Sequence, residues 1–269
     1  MNQSEFWNGE AGDTWASNAD RMDPLLEAFA LAALDALAPR PGERILDVGC
    51  GAGATSRMLA QRVGPGGRVL GVDVSAPLVA VARSRGGGPE YLLADAGSTP
   101  LPSGFDAIFS RFGVMLFEDP TAAFTNLRAA LRPGGRMAFV CWRSGAENAW
   151  AREAMNVALP LLREPPPPPL PDAPGPFAFA DGARLRRILE TAGFAQVDIA
   201  PLDIGYVMGP NSEAAADLSL VIGPMARLVR EQGLDPAPFR AAMVSLMARF
   251  QTDQGVVMPS ACWVTRAVR

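Results

Sequence analysis

The sequence predicts an α/β fold: a seven-stranded, mostly parallel sheet with an antiparallel last strand, helices on both faces, and helical insertions forming a lid. Three observations carry this. From Arg44 onward, short apolar β-branched runs alternate with helical segments. A glycine cluster, Gly49-Cys50-Gly51-Ala52-Gly53, stands where the first run turns into a helix. Aspartates close or interrupt the first three runs. Strands alternating with helices read as right-handed βαβ units around a parallel sheet.

Residues 1–23 are polar with embedded aromatics, Phe6, Trp7 and Trp15. Asp23-Pro24 then opens an amphipathic helix with Leu25, Phe29, Leu34 and Leu37 on its apolar side, since proline suits a first helical turn. Pro39-Arg40-Pro41-Gly42 stops it. Strands are expected at Arg44–Val48, Arg68–Val72, Tyr91–Ala94, Asp106–Ser110 and Gly135–Cys141, with helices between them at Ala54–Arg62, Pro77–Arg85 and Thr121–Leu131. Arg132-Pro133-Gly134-Gly135 reads as a turn feeding the fifth strand.

Past Trp142 a helical piece around Asn148–Leu162 runs into Pro165–Pro169 and on to Pro176. That stretch is too proline-rich for helix or central strand and reads as a stiff surface connector. Asp181 caps a helix over Leu185–Thr191 that ends at Gly193. A strand at Val197–Val207, two helices near Glu213–Arg230 and Pro238–Phe250, and a last strand at Ser260–Ala267 follow. Phe239, Met243, Leu246, Met247 and Phe250 form a stripe at helical spacing, which reads first as core and second as an adaptable apolar pocket.

Composition bounds the chemistry. The 269 residues allow one large domain, or a domain with an insertion, and 49% hydrophobic residues suffice for a full core. The net charge of −4 argues against nucleic-acid phosphate as the main partner. No apolar run reaches the roughly 18 residues of a membrane span. The start MNQSEFWNGE lacks the positive charge and apolar stretch of a secretion signal. Cys50, Cys141 and Cys262 are odd in number and far apart, which fits reduced thiols in a cytoplasm and no metal site. There is no histidine, and all 24 cations are arginines. Serine–histidine triads, lysine Schiff bases and histidine zinc sites are therefore excluded. The arginine usage, with much Ala, Gly and Pro, fits genomic codon bias.

The sharpest motif is Ile45-Leu46-Asp47-Val48-Gly49-Cys50-Gly51-Ala52-Gly53. Its glycines permit a tight turn and close backbone approach to a ligand, but Gly49-x-Gly51-x-x-Ala54 also satisfies a dinucleotide fingerprint. Asp47 discriminates. A carboxylate there would repel a pyrophosphate, whereas it suits a ligand bearing an ammonium group, such as S-adenosylmethionine. Asp73, about 20 positions on, can accept ribose hydroxyls. Asp95 can accept a hydrogen bond from an adenine amino group, with Val74 and Ala96 packing the ring; the competing reading is a turn residue.

With these motifs the chain resembles class I, Rossmann-like S-adenosylmethionine-dependent methyltransferases. The resemblance rests on the DxGxGxG loop, Asp73, Asp95, the segment Phe105–Ser110 and Leu131-Arg132-Pro133-Gly134-Gly135, over roughly residues 40–145. The nearer likeness is to bacterial small-molecule enzymes related to those of quinone biosynthesis, through Glu10-x-x-Asp13-x-Trp15 and the proline-rich connector. It implies that Asp47 holds the cofactor's ammonium, directly or through water, and that Gly49, Cys50, Gly51 and Gly53 line the methionine moiety. Asp73 would serve the ribose, Asp95 and Ala96 the adenine with Val74 packing its ring, and Ser110 and Arg111 the sulfonium end and substrate. Trp15, with Trp7, would close over the site. Phe112, Met115, Trp142, Arg143 and Trp7 are candidate substrate contacts, and Arg111 is either a partner for a substrate carboxylate or part of a structural ion pair.

The division expected is a lid segment and helix at 1–39, a cofactor-binding core at 40–145 and a connector at 146–180. The rest of the sheet lies at 181–269, with a helical insertion at about 210–255, all in a single domain. The activity implied is in-line methyl transfer to a small-molecule N, S, C or acidic O nucleophile, by a monomer or homodimer. Any general base must come from a carboxylate such as Glu10, Asp13 or Glu118, or from Tyr206 as a relay, and each carboxylate also reads as a solvated charge. Two alternatives remain at this point: an NAD(P)-dependent oxidoreductase on the same sheet, and a non-catalytic S-adenosylmethionine-binding protein.

Overall fold

The computed structural model describes residues 2–167 and 173–269. Four short helices come first: α1 (Gln3–Trp7), α2 (Glu10–Ser17), α3 (Ala19–Leu25) and α4 (Glu27–Leu37). Asn2 and Glu5 close a reciprocal capping box on α1, which satisfies N–H groups that the first turn leaves free. The α/β part follows as β1 (Arg44–Val48), α5 (Ala54–Val63), β2 (Arg68–Asp73), α6 (Ala76–Arg85), β3 (Glu90–Leu93), β4 (Phe105–Arg111), α7 (Pro120–Ala130) and β5 (Leu131–Trp142). Then come α8 (Ala149–Ala158), α9 (Gly182–Thr191), β6 (Ala195–Gly209), α10 (Ser212–Ser219), α11 (Pro224–Glu231), α12 (Pro236–Ala248), β7 (Gln251–Thr252) and β8 (Gly255–Val268). Asp119, Asp181, Asn211 and Asp235 cap α7, α9, α10 and α12, each accepting a backbone N–H one turn inside.

The sheet order is β3-β2-β1-β4-β5-β8-β6, and β8 alone runs against its two neighbours. The sheet has eight strands where seven were expected: β7 contributes two residues that pair only with β8. A two-residue strand is too short to leave a periodic signal.

Side-chain alternation along β5 fixes the faces. Phe139 stacks on Phe124 of α7, whereas Trp142, three residues on, meets Phe29 of α4. Helices α4 and α7 therefore cover opposite faces. Both are apolar where they touch the sheet, and the main core lies in these two layers. A second core, built on Phe239, Met243, Leu246 and Met247, joins α8, α10, α11 and α12 to the start of β8. The methionine stripe is thus core, with Phe250 only packed at its edge.

Three expectations need correction. The helix does not open at Asp23-Pro24: Pro24 lies near the end of α3, and the chain breaks at Leu26 before α4. The insertion after β6 holds three helices rather than two, because Gly223, at φ 106, ends the run before Pro224 restarts it. Residues 132–135 are an irregularity inside β5 rather than a turn before it. Phe105 pairs with Leu131 and Ala107 already with Arg136, so the extra residues bulge out of the ladder. Of the connector, residues 168–172 lie outside the described residues.

Candidate functional site

The site grows from the turn after β1. Gly49, Gly51 and Gly53 have φ of 68°, 52° and 81°, a region that side chains with a Cβ rarely occupy. Gly49 is constrained twice, since a Cβ there would lie 2.7 Å from the Cα of Gly113 in the loop after β4. Two backbones thus cross in contact beneath the turn. A Cβ on Gly51 would instead point into open space, the kind of shelf a ligand can fill. The N–H groups of Gly49 and Cys50 donate to the Val72 carbonyl at 2.8 and 3.2 Å, which anchors the turn to β2.

Asp47 lies under this turn, fully buried. Its Oδ2 accepts hydrogen bonds from Thr55 Oγ1 at 2.7 Å and Ser56 Oγ at 2.6 Å, both on the first turn of α5, while its Oδ1 has no partner among the described residues. Burial raises its pKa to about 6 despite the two hydroxyls and the Arg111 charge. A buried carboxylate oxygen without a donor is costly unless a ligand supplies one. Cys50 is buried beside it, and burial with the Asp47 charge pushes its thiol well up.

Asp73, at the tip of β2, is half-buried and accepts from Gly51 N at 2.8 Å and Ser75 N at 2.9 Å. It braces the glycine turn, and each oxygen keeps lone-pair capacity for a further donor. Burial raises its pKa against those backbone bonds. Val74, next to it, is half-buried. Asp95 is exposed and closes a local turn, accepting from Gly97 N at 2.8 Å and Ser98 Oγ at 2.6 Å. Ala96 beside it is buried, its carbonyl held by Asn126 at 2.9 Å.

At the tip of β4 the side chains divide. Ser110 is buried and donates to the Val48 carbonyl at 2.7 Å, so its hydroxyl staples β4 to β1. Arg111 is 14% exposed, and its nearest carboxylate oxygen, on Asp23, is 3.8 Å away, beyond hydrogen-bond range. Phe112 takes a left-handed φ of 63° and stacks on Trp142 at 4.3 Å with planes 8° apart. Trp142 also meets Phe29, Trp150 and Tyr206, and its backbone N–H donates to the sulfur of buried Met115 at 3.4 Å. Burial raises the Tyr206 phenol to about 12, so it is a neutral donor at pH 7. Arg143 is engaged elsewhere: it binds Asp203 at 2.9 Å, pairs with Glu147 and lies over the Trp263 ring.

The N-terminal helices fold over this ground. Asn8 bridges the Val74 carbonyl and the Ala76 N–H, at 2.8 and 2.9 Å, and the Ser75 hydroxyl donates to the Trp7 carbonyl at 2.8 Å. Trp7 meets Trp15 edge-on, and its indole N–H is buried without a partner among the described residues. Gly12 is required there, since a Cβ would sit 2.0 Å from the Trp7 carbonyl oxygen. Glu10 pairs with Arg230 at 3.2 Å, Glu118 accepts from Gln3 N at 3.3 Å, and both are exposed, as is Asp13. Those carboxylates lie on the surface.

Two features escaped the sequence reading. Gly113 is half of the backbone crossing, but no local pattern marks it. Arg85 ties three elements together: it donates to the Ala52 carbonyl and to Asp23 at 2.8 Å each, and pairs with Asp20. Its two aspartates are over 60 positions away in sequence, which no spacing rule reveals. Among the described residues no cluster of ligating side chains suits a metal ion, and no helix is long and apolar enough to cross a membrane.

Residues 46–139 match the methyltransferase domain family. Over 110 residues, the chain is 42% identical to the nocamycin O-methyltransferase of Saccharothrix syringae, covering 39% of each chain. It is 39% identical to the demethylmenaquinone methyltransferase of Thermus thermophilus over 39% of this chain and 50% of that one. The chain therefore spans half or less of these relatives' own length. Phosphoethanolamine N-methyltransferase 2 of Haemonchus contortus, solved in complex with S-adenosyl-L-methionine, shares the fold at a TM-score of 0.53. That comparison has 19% identity and covers 89% of this chain and 52% of that one. The turn and Asp47, Asp73 and Asp95 all lie within the segment that matches the methyltransferase domain family, and the sheet around them has the fold of the methyltransferase structure just described. Over a similar stretch it is 33% identical to the ubiquinone/menaquinone biosynthesis C-methyltransferase of Burkholderia vietnamiensis, covering 45% of this chain and 54% of that one.

Proposed function

We propose that the protein is an S-adenosylmethionine-dependent methyltransferase acting on a small-molecule acceptor. The observation that carries this reading is Asp47: a fully buried carboxylate with one unpartnered oxygen under a glycine turn. An ammonium satisfies it, whereas the pyrophosphate of a dinucleotide would be repelled at short range. The open shelf at Gly51 leaves room for the methionine chain beside it.

In this reading Asp47 holds the ammonium, and Gly49, Cys50, Gly51 and Gly53 line the methionine moiety. Asp73 takes the ribose hydroxyls; Asp95 receives the adenine with Val74 and Ala96 packing its ring; Trp7 and Trp15 exclude water from above. Bound S-adenosylmethionine supplies a methyl group already activated on a sulfonium. What the chain adds is alignment, for which near-attack geometry can be worth roughly 7–11 kcal/mol. Glu10, Asp13 and Glu118 act as solvated charges, and Tyr206 donates a hydrogen bond rather than removing a proton. The acceptor is then an N, S or C nucleophile, or an oxygen acidic enough to ionise by itself. The protein works in the cytoplasm with its three thiols reduced, as a monomer or homodimer, without nucleic acid. Its 1–39 segment is the lid, 40–145 the cofactor core, 146–180 the connector and 181–269 the completed sheet with its insertion.

Calorimetry tests the cofactor. S-adenosylhomocysteine should bind in the micromolar range or tighter, and NAD should not. NAD binding without S-adenosylhomocysteine binding would refute the proposal. Asp73→Ala should weaken S-adenosylhomocysteine by about tenfold, the loss of roughly 1.4 kcal/mol. A labelled-methyl screen over small acceptors then reads the activity itself.

A further inference from the structure

The glycine turn is built from three residues with little conformational preference of their own. Gly49, Gly51 and Gly53 all take left-handed φ, and glycine loses more backbone freedom on ordering than any other residue. Such a turn is preorganised only where its neighbours over-determine it. Gly49 is held by the Gly113 backbone, and the Gly51 N–H by Asp73. Gly53 is the N-cap of α5, yet no side chain caps that helix. What Gly53 rests on is Tyr91, from the edge strand β3. A Cβ on Gly53 would overlap the Tyr91 hydroxyl oxygen and lie 3.0 Å from its Cζ and 3.1 Å from the Ala82 Cβ.

Tyr91 reaches this position across Gly71, its partner in the register of β2 with β3. The missing side chain at Gly71 admits it. A Cβ there would lie 2.8 Å from Tyr91 Cδ1, 2.9 Å from Cys50 Sγ and 2.9 Å from Ser56 Oγ. Glycine inside a strand marks this kind of close approach. The tyrosine ring, the thiol and the Ser56 hydroxyl therefore converge on one point beneath the turn, and Ser56 donates from there to Asp47 Oδ2 at 2.6 Å. The Tyr91 hydroxyl is buried and makes no hydrogen bond among the described residues. Burial pushes the phenol up to about 12, so it is neutral at pH 7 and does not compete with Asp47 for a cation. A buried hydroxyl that bonds to nothing costs stability, a cost that phenylalanine would avoid. What the oxygen does is fill the space directly under Gly53, where a gap would forfeit contact.

We propose that Tyr91 is a positioning residue for the cofactor site. Its hydroxyl buttresses Gly53 and so fixes the glycine turn and the start of α5, whose Thr55 and Ser56 hydroxyls hold Asp47. The inference rests on the methyltransferase reading for what the site binds, and on packing for how the site is held.

The test starts from the full chain carrying Tyr91→Phe. Its urea midpoint should equal or exceed that of wild type, because an unpartnered buried hydroxyl is gone. In the ligand-free protein the Gly51 and Gly53 amides should exchange with deuterium about threefold faster or more, with the β1 amides unchanged. S-adenosylhomocysteine affinity by calorimetry should fall about three- to tenfold. Ordinary core packing would not loosen the turn and the affinity while stability is kept. Gly53→Ala supplies a second measurement. It should lose about tenfold less affinity in the Tyr91→Phe background than in wild type, since the overlapped oxygen is absent. If Gly53→Ala alone does not fold, the double variant should fold. A lower urea midpoint for Tyr91→Phe, unchanged exchange at the turn or unchanged affinity would each overturn the proposal. So would an equal cost of Gly53→Ala in both backgrounds, or a double variant that fails to fold with it. Failure of S-adenosylhomocysteine to bind wild type refutes the function instead, and the exchange comparison in the ligand-free protein then decides Tyr91 by itself.

Discussion

Replacing Asp47 with asparagine should make the ligand-free protein more stable and its cofactor binding worse. Burial lifts the Asp47 carboxyl from an ordinary 3.8 to about 6, net of the opposing hydroxyls of Ser56 and Thr55. That difference corresponds to about 3 kcal/mol of destabilisation when the group is ionised at neutral pH. The sign follows from proton occupancy. Between the two values the folded protein holds a proton that the unfolded chain has lost, so this group's contribution to stability is full below the unfolded value and disappears as pH rises through about 6. Asparagine keeps an oxygen for Thr55 and Ser56 and carries no charge. Asp47→Asn should therefore gain about 1–3 kcal/mol at pH 7, or roughly 2–4 °C in Tm per kcal/mol, and the gain should vanish near pH 4. Thermal unfolding of both proteins from pH 4 to 8 measures this, and the difference between them isolates Asp47. Glu43 and Asp106 titrate alike in the two; in each, burial is outweighed, by Arg136 for Glu43 and by the Arg44 N–H and Arg132 for Asp106. S-adenosylhomocysteine affinity should fall about 10- to 100-fold, the value of a charge-assisted hydrogen bond. A variant less stable than wild type at pH 7, or a difference that ignores pH, would show that the carboxylate is already compensated.

Other predictions rest on single contacts. Gly49→Ala combines a left-handed backbone with a backbone clash at 2.7 Å and should cost roughly 2–5 kcal/mol by urea unfolding. Gly113→Ala meets a comparable clash, 2.7 Å from the Val48 oxygen, without positive φ, so it should cost less; equal costs would remove the strain argument. Arg85→Gln breaks the tie among α3, α6 and the glycine turn. It should speed S-adenosylhomocysteine release several-fold in stopped-flow while changing far-ultraviolet circular dichroism little, and an unchanged off-rate would mean that the N-terminal helices do not gate the site.

Much of the fold was legible because the periodic signals were long and the punctuation chemical. The strand Arg44–Val48 is bounded as expected, since five apolar-rich residues end at glycines that cannot continue it. Asp181 caps its helix because a short carboxylate before a helical run has few better uses for its acceptors. The break at Leu26, the third helix after Gly223 and the two-residue β7 were not legible, because each depends on what the chain meets in space rather than on its local pattern.

The candidate site divides along the same line. The sequence by itself determined the glycine turn, the aspartates around it and the absence of histidine and lysine, because backbone permissiveness and side-chain chemistry are properties of single residues. Only the tertiary structure decided what those groups touch. It left Asp47 Oδ1 unpaired, bound the Ser110 hydroxyl to Val48, spent Arg143 on Asp203 and Glu147, and set Glu10 and Glu118 at the surface. It also paired Arg111 with Asp23, 88 positions away in the chain. Charge balance in an enclosed space is a property of neighbours from separate elements, and the packing of the folded chain sets those neighbours.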